Sequence, residues 1–138
     1  MNELVSKEMI EDKIYNIRGQ NVMLDSDLAE IYGYETKNFN RQVKNNIEKF
    51  DNDFMFQLTD EEVLELSRCK KFTMKRNNGR GHNIKYLPYV FTEQGIYMLM
   101  TVLRGELAIK QSKTLIRIFK EMKDYIVFRL CYWYVIKK

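Results

Sequence analysis

Between Leu24 and Phe50 the chain reads LDSDLAEIYGYETKNFNRQVKNNIEKF, and one glycine in it restricts the fold more than any other feature. Glycine enters the left-handed backbone region without steric cost, so Gly33 marks a helix stop and a corner. Before it, Ser26 or Asp25 supplies a capping oxygen for the free amides of a first helix. Leu28, Ala29, Ile31 and Tyr32 give that helix a buried side. After Tyr34 and Glu35, Thr36 caps a second helix, in which Phe39, Val43, Ile47 and Phe50 recur at helical spacing and form an inner stripe. At about 100° per residue, Lys37, Asn38, Arg41, Lys44, Asn45 and Glu48 then fall on the opposite side. Arginine and lysine address guanine, and asparagine bonds adenine through two contacts, so this outer face carries the side chains that read base edges.

The spacing resembles a helix-turn-helix: a small residue in the first helix, Ala29, a glycine at the corner, then a basic, amide-rich second helix. Gln42 occupies a place where that motif usually has an apolar residue, with Val43 one step later. A packed helical hairpin with a solvated polar face fits the same residues, and this stretch alone does not separate the two readings.

On either side the chain alternates short strands with helices. Residues 1–12 form a polar leader with Leu4, Val5, Met9 and Ile10 at roughly helical spacing, either a docking helix or a frayed end. Lys13 to Ile17 and Asn21 to Leu24 read as strands joined at Arg18-Gly19-Gln20. Phe54 to Leu58 suits a buried strand. Thr59, with Glu62 three residues on, forms a capping box for a helix through Val63, Leu64 and Leu66. Arg68 to Lys85 carries Arg68, Lys70, Lys71, Lys75, Arg76, Arg80 and Lys85 and no acidic residue. Asn77-Asn78-Gly79 and Gly81 put a turn at its centre, and Tyr86 to Phe91 returns as an aromatic strand, which predicts a β-hairpin with a basic tip. Such a tip can lie along a phosphate backbone, and a solvated basic loop is the plainer alternative. Thr92 caps a helix through Ile96, Leu99, Met100, Val102 and Leu103, broken at Gly105. From Glu106 a longer amphipathic helix sets Ile109, Leu115, Ile116, Phe119, Met122 and Ile126 on one side and Lys110, Lys113, Arg117 and Lys120 on the other.

The length of 138 residues suits one domain with a single core. A net charge of +4 is modest, so its distribution matters more than its size. Cys69 and Cys131 belong to no pair-spaced motif, and no secretory signal is evident, so they read as reduced thiols in a cytoplasmic protein. One proline, Pro88, and six glycines leave no long flexible linker, and there is no internal repeat. Catalytic chemistry has little to work with. His82 is the only histidine, which excludes a multi-histidine metal site. Gly79-Arg80-Gly81 lacks the Gly-Lys-Ser/Thr ending of a phosphate loop. Asp25 and Asp27, and Asp60, Glu61 and Glu62, stand at helix starts, where negative charge offsets the helix dipole. No enzyme activity, cofactor or metal is expected.

Taken in order, three blocks carry a family likeness: IRGQ.VML.SDLAEIYG, then ETKNFNRQVKNNIEKF..DFMFQLT, and later YLPYVFTEQGIYML. They closely resemble the ORF-six-N domain of the KilA-N superfamily, found in phage and prophage regulators of the antirepressor type. The likeness runs from about Ile14 to about Tyr125 and maps onto Leu28, Ala29, Tyr32 and Gly33, onto Asn40, Arg41 and Val43, onto Phe54 and Phe56, and onto Pro88 and Phe91 to Gly95. It implies a compact α+β domain that binds DNA. With the pattern above, that gives an N-terminal β-hairpin, a helix-turn-helix-like pair, a basic β-hairpin and two C-terminal helices. The expected organisation is a leader at 1–12, the DNA-binding domain at 13–125 and an apolar tail at 126–138.

The expected base readers are Thr36, Lys37, Asn38, Asn40, Arg41, Lys44 and Asn45, with Asn40 on the helix flank ranked below Arg41. The expected phosphate contacts are Lys70, Lys71, Lys75, Arg76, Arg80 and Lys85. Double-stranded DNA is the expected partner. Arg80 between glycines, with Phe72, Tyr86 and Tyr89 nearby, also fits RNA or single strands, and a module that binds a phage repressor protein is the third reading. The tail, IVFRLCYWYVIKK, lies outside the family pattern. It is too short to span a membrane, which takes about 20 residues; it predicts a homodimer contact, with an interfacial anchor that sets Lys137 and Lys138 at lipid headgroups as the alternative.

Overall fold

Alternating burial along four short strands builds the centre of the molecule. The structure, a computed structural model, describes residues 7–68 and 87–137, with side chains as far as 124. Strands β1 (Ile14–Ile17), β2 (Gln20–Leu24), β3 (Met55–Gln57) and β4 (Tyr89–Thr92) form one antiparallel sheet in the order β1-β2-β4-β3. The β1–β2 hairpin turns through Arg18 and Gly19, both at positive φ (56° and 75°), the two-residue turn whose twist matches that of paired strands.

The register decides which side chains share a face. Met23 lies opposite Phe91 and Phe91 opposite Met55, and this row faces the main helical core. Leu24 lies opposite Val90 and Val90 opposite Phe56, and that row, with Tyr15, Ile17 and Val22, meets α4 (Asp60–Ser67) through Val63 and Leu66. Both faces are therefore covered.

The thicker helical layer holds α1 (Lys7–Glu11), α2 (Asp25–Tyr32), α3 (Thr36–Asn45), α5 (Glu93–Leu99) and α6 (Glu106–Lys137). The part of the leader in view is docked: Ile10 is fully buried and Lys7 pairs with Glu121 on α6 at 2.6 Å. The expected α+β class, N-terminal hairpin, helix pair and two C-terminal helices are all present. The basic hairpin expected at 68–85 lies, apart from Arg68, outside the described residues, and the return strand expected over Tyr86 to Phe91 is β4, which runs from Tyr89 to Thr92.

Two capping expectations hold in full. Thr59 and Glu62 exchange both bonds of a capping box, at 2.9 and 3.2 Å. The Thr92 hydroxyl accepts from the Gly95 amide at 3.2 Å and donates to the Asp53 carbonyl at 2.8 Å.

Other expectations need correction. The strand expected at Phe54–Leu58 is shorter, Met55–Gln57. Helix α5 stops at Leu99 rather than running on to Leu103, although Val102 and Leu103 are still buried. On α6, Ile109 and Ile116 are 57% and 44% exposed, and the inner stripe is Ala108, Gln111, Leu115, Ile118 and Phe119. Gln111 is a buried polar residue whose amide donates to the Ile31 carbonyl at 2.8 Å, filling one acceptor left open at the end of α2.

Candidate nucleic-acid interface

Helices α2 and α3 are joined by a corner whose geometry follows from Gly33. Its backbone is left-handed (φ 77°, ψ 25°), with the Gly33 amide bonded to the Glu30 carbonyl and the Tyr34 amide to that of Ala29 at 2.8 Å. A Cβ on Gly33 would also stand 3.0 Å from the Leu107 side chain. The expected helix stop is therefore present. At the other end of α2 the cap is Leu24, not Ser26 or Asp25, and Asp25 is the first helical residue. Its Oδ1 accepts the Ser26 amide at 2.7 Å.

Ties to α6 fix α2 further. The Tyr32 hydroxyl and Ser112 share a hydrogen bond of 2.7 Å, and burial pushes the phenol up to about 12, so it stays protonated across the physiological range. Lys13 reaches Asp27 at 3.5 Å, and burial raises the Asp27 carboxyl against the pull of that lysine.

Glu35, rather than Thr36, caps α3, with no side-chain cap bond. Phe39 and Val43 face the core. Phe39 meets Phe91 edge to face at 5.7 Å and Tyr34 at 6.4 Å. Phe50 also packs on Phe91 edge to face, at 5.8 Å. Ile47 departs from the expected stripe and is 51% exposed. The α-helix ends at Asn45, Asn46 leaves helical geometry (φ −125°, ψ 34°), and Ile47–Lys49 resumes as a tighter 3-10 turn, so the helical phase is lost before Ile47.

The outward side of α3 presents Lys37, Arg41, Lys44 and Asn45 as exposed residues, with Asn38 and Thr36 half-buried beside them. No Asp or Glu lies between Thr36 and Asn45. Gln42 is exposed too and, one turn from Asn38 and near Asn45, extends the amide-rich edge of this face. Its place in the motif hid it, because an apolar residue is usual there. Asn40 differs from the others. It is half-buried, and its amide donates to Asp25 Oδ2 at 3.1 Å.

Of the expected phosphate contacts, Lys70, Lys71, Lys75, Arg76, Arg80 and Lys85 all lie outside the described residues. Arg68, at the end of α4, is exposed and 3.5 Å from Glu65. Among the described residues no group of three or more His, Cys, Asp or Glu side chains converges as a metal site. No helix among them is long and apolar enough to cross a membrane.

A family model described as the ORF6N domain matches residues 12–102. No curated protein and no solved structure matches the chain.

Proposed function

Because the chain belongs to the ORF6N domain family, we propose that it is the double-stranded DNA-binding domain of a phage- or prophage-derived transcriptional regulator of the antirepressor type, acting in the cytoplasm. In this reading α3 enters the major groove. Lys37, Asn38, Arg41, Lys44 and Asn45 address base edges, and the basic residues Lys70, Lys71, Lys75, Arg76, Arg80 and Lys85 grip phosphates. Thr36 stands at the N-terminal end of α3, where recognition helices approach the groove.

One observation carries the reading. Helix α3 is anchored by Phe39 and Val43 on one side only, and turns three cations and an amide-bearing edge to solvent with no carboxylate among its own residues. A helical hairpin kept only for packing has no need of a face so lacking in acidic groups. The reading is one of binding, with no catalysis assigned.

The test is selection of bound duplexes from a random pool at two salt concentrations, with competition by the separated strands. Enrichment of a defined sequence, and affinity that falls with salt, are the expected results. Better competition by separated strands would shift the reading to RNA or single-strand binding. Absence of nucleic-acid binding at both salts would leave the repressor-binding module as the reading to pursue.

A further inference from the structure

We propose that Asp25 and Asn40 are a positioning pair that fixes the roll of α3 against DNA, and that Asn40 does not read a base; this rests on the DNA-binding reading above. Asp25 is 1% exposed, and a carboxylate is buried at that depth only where hydrogen bonds replace its water. Its oxygens collect three parts of the molecule. Oδ1 accepts the Ser26 amide at 2.7 Å, in the first turn of α2. Oδ2 accepts the Asn40 side-chain amide at 3.1 Å, on the flank of α3, and the Tyr89 amide at 3.4 Å, at the start of β4.

The apolar contacts of α3 leave a rotation for this bond to oppose. Phe39 and Val43 lie one turn apart on a single line down the helix, and such a line acts as an axle about which a ten-residue helix rolls. Asn40 sits to one side of that line, so its tether to Asp25, at the junction of β2 with α2, resists the roll. A roll of about 10° about that line moves the outward tips, roughly a 10 Å helix diameter away, by about 2 Å. Hydrogen bonds to base edges span only about 2.7–3.2 Å, so a shift of that size disturbs every base contact at once. Phosphate contacts made by long, flexible lysines and arginines tolerate it.

The experiment is duplex selection with the full chain, the parent beside Asn40→Ala, Asp25→Asn and the double swap of Asp25→Asn with Asn40→Asp. Melting temperatures are measured for each. Both single variants are expected to flatten base preference at every position that α3 reads, lowering the ratio of specific to random affinity by about tenfold, the equivalent of one base contact. Affinity for random duplex and its salt slope should stay within about twofold, since phosphate contacts set both. The swap re-forms a carboxylate–amide bond in the opposite sense but turns an amide donor toward the Tyr89 amide that Oδ2 accepts in the parent, so a partial return of the profile is expected. A base reader behaves otherwise: Asn40→Ala would relax a single base pair while Asp25→Asn kept the parental profile, and that result overturns the proposal. So do unchanged profiles in both single variants. If Asp25→Asn does not fold, the Asn40→Ala profile decides alone, by whether one position or all of them relax. A parent that enriches no sequence overturns the DNA-binding reading itself, and the proposal with it.

Discussion

Arg18 holds a left-handed backbone (φ 56°) that a side chain with a Cβ resists, and what it reaches from there accounts for its presence. Its guanidinium lies 4.1 Å over the Phe56 ring and meets both oxygens of Glu62 at 2.7 and 2.9 Å. The same carboxylate caps α4 through the Thr59 amide, so one glutamate joins the hairpin tip to the helix covering that face of the sheet. The Arg18 bond, ahead of the Thr59 bonds, holds the Glu62 carboxyl below the usual glutamate range. A carboxyl depressed in the folded state adds stability above its unfolded value, about 4.3, and loses it as pH falls through the lower folded value. The melting temperature of Arg18→Gln should therefore sit below that of the parent by a constant amount from about pH 7 to about pH 5, with the gap narrowing on further acidification. A gap as wide at about pH 3 as at neutrality would assign the loss to the Phe56 stack instead. Gly95 is bound by contact rather than by dihedral angle. A Cβ there would stand 1.9 Å from the Phe54 carbonyl oxygen and 2.8 Å from its carbon. Both are backbone atoms, and the Thr92 hydroxyl bonds that same loop, so neither side yields easily. Gly95→Ala should cost about 3 kcal/mol or more, read as a lower midpoint in urea. A midpoint within error of the parent would show that the α5 start can move.

At the scale of elements, α3 carries the sharpest expectation. Arg41→Ala and Asn45→Ala should weaken specific duplexes more than random ones, by about 1–3 kcal/mol where the side chain makes a bidentate bond to a base. Equal weakening of both duplexes would make them backbone contacts, and unchanged melting temperatures are needed to exclude unfolding. Replacing Lys75, Arg76 and Arg80 with neutral residues should instead weaken all duplexes and lower the log–log salt slope by about 0.9 for each phosphate no longer neutralised. An unaltered slope would return that segment to the status of a solvated loop. The helix pair itself was legible in the sequence because its signals are local, a glycine stop and a period in Phe39 and Val43, and α4 was legible through a capping box that closes within four residues. What the sequence hid depends on partners distant along the chain. Gln111 is buried because an α2 carbonyl 80 residues earlier awaits its amide, and no helical period announces that. Ile47 was misplaced for a different reason: a phase carried through Asn46 assumes a helix that continues, and this one stops at Asn45. The inward bond of Asn40 was equally invisible, since its partner Asp25 looks from sequence like a residue that caps its own helix.

Across the whole molecule, the unusual element is α6, which continues from Glu106 to Lys137. At about 1.5 Å per residue its 32 residues extend roughly 48 Å, longer than a domain of this size requires for its own core. Contacts with α1, α2 and α5 occupy its inner stripe. Leu107, Ile109 and Ile116 already expose apolar surface on its described part. Beyond Asp124 the sequence from Tyr125 to Ile136 is apolar except for Arg129 and includes Tyr132, Trp133 and Tyr134. Apolar patches larger than a few hundred Å² are rarely left open to water by a small domain, and a second copy of the same helix is the simplest cover. A two-fold pair formed through this helix would present two copies of α3 to a palindromic site, with half-sites about 34 Å or a multiple of it apart. Light scattering or analytical ultracentrifugation should therefore find the full chain dimeric at tens of micromolar and a version ending at Asp124 monomeric. The shorter version should also lose the preference for palindromic over single half-sites while keeping its affinity for one half-site, because α3 and its supports lie before residue 125. If both versions sediment as monomers without lipid present, the apolar end of α6 serves some other surface, and each copy of α3 works alone.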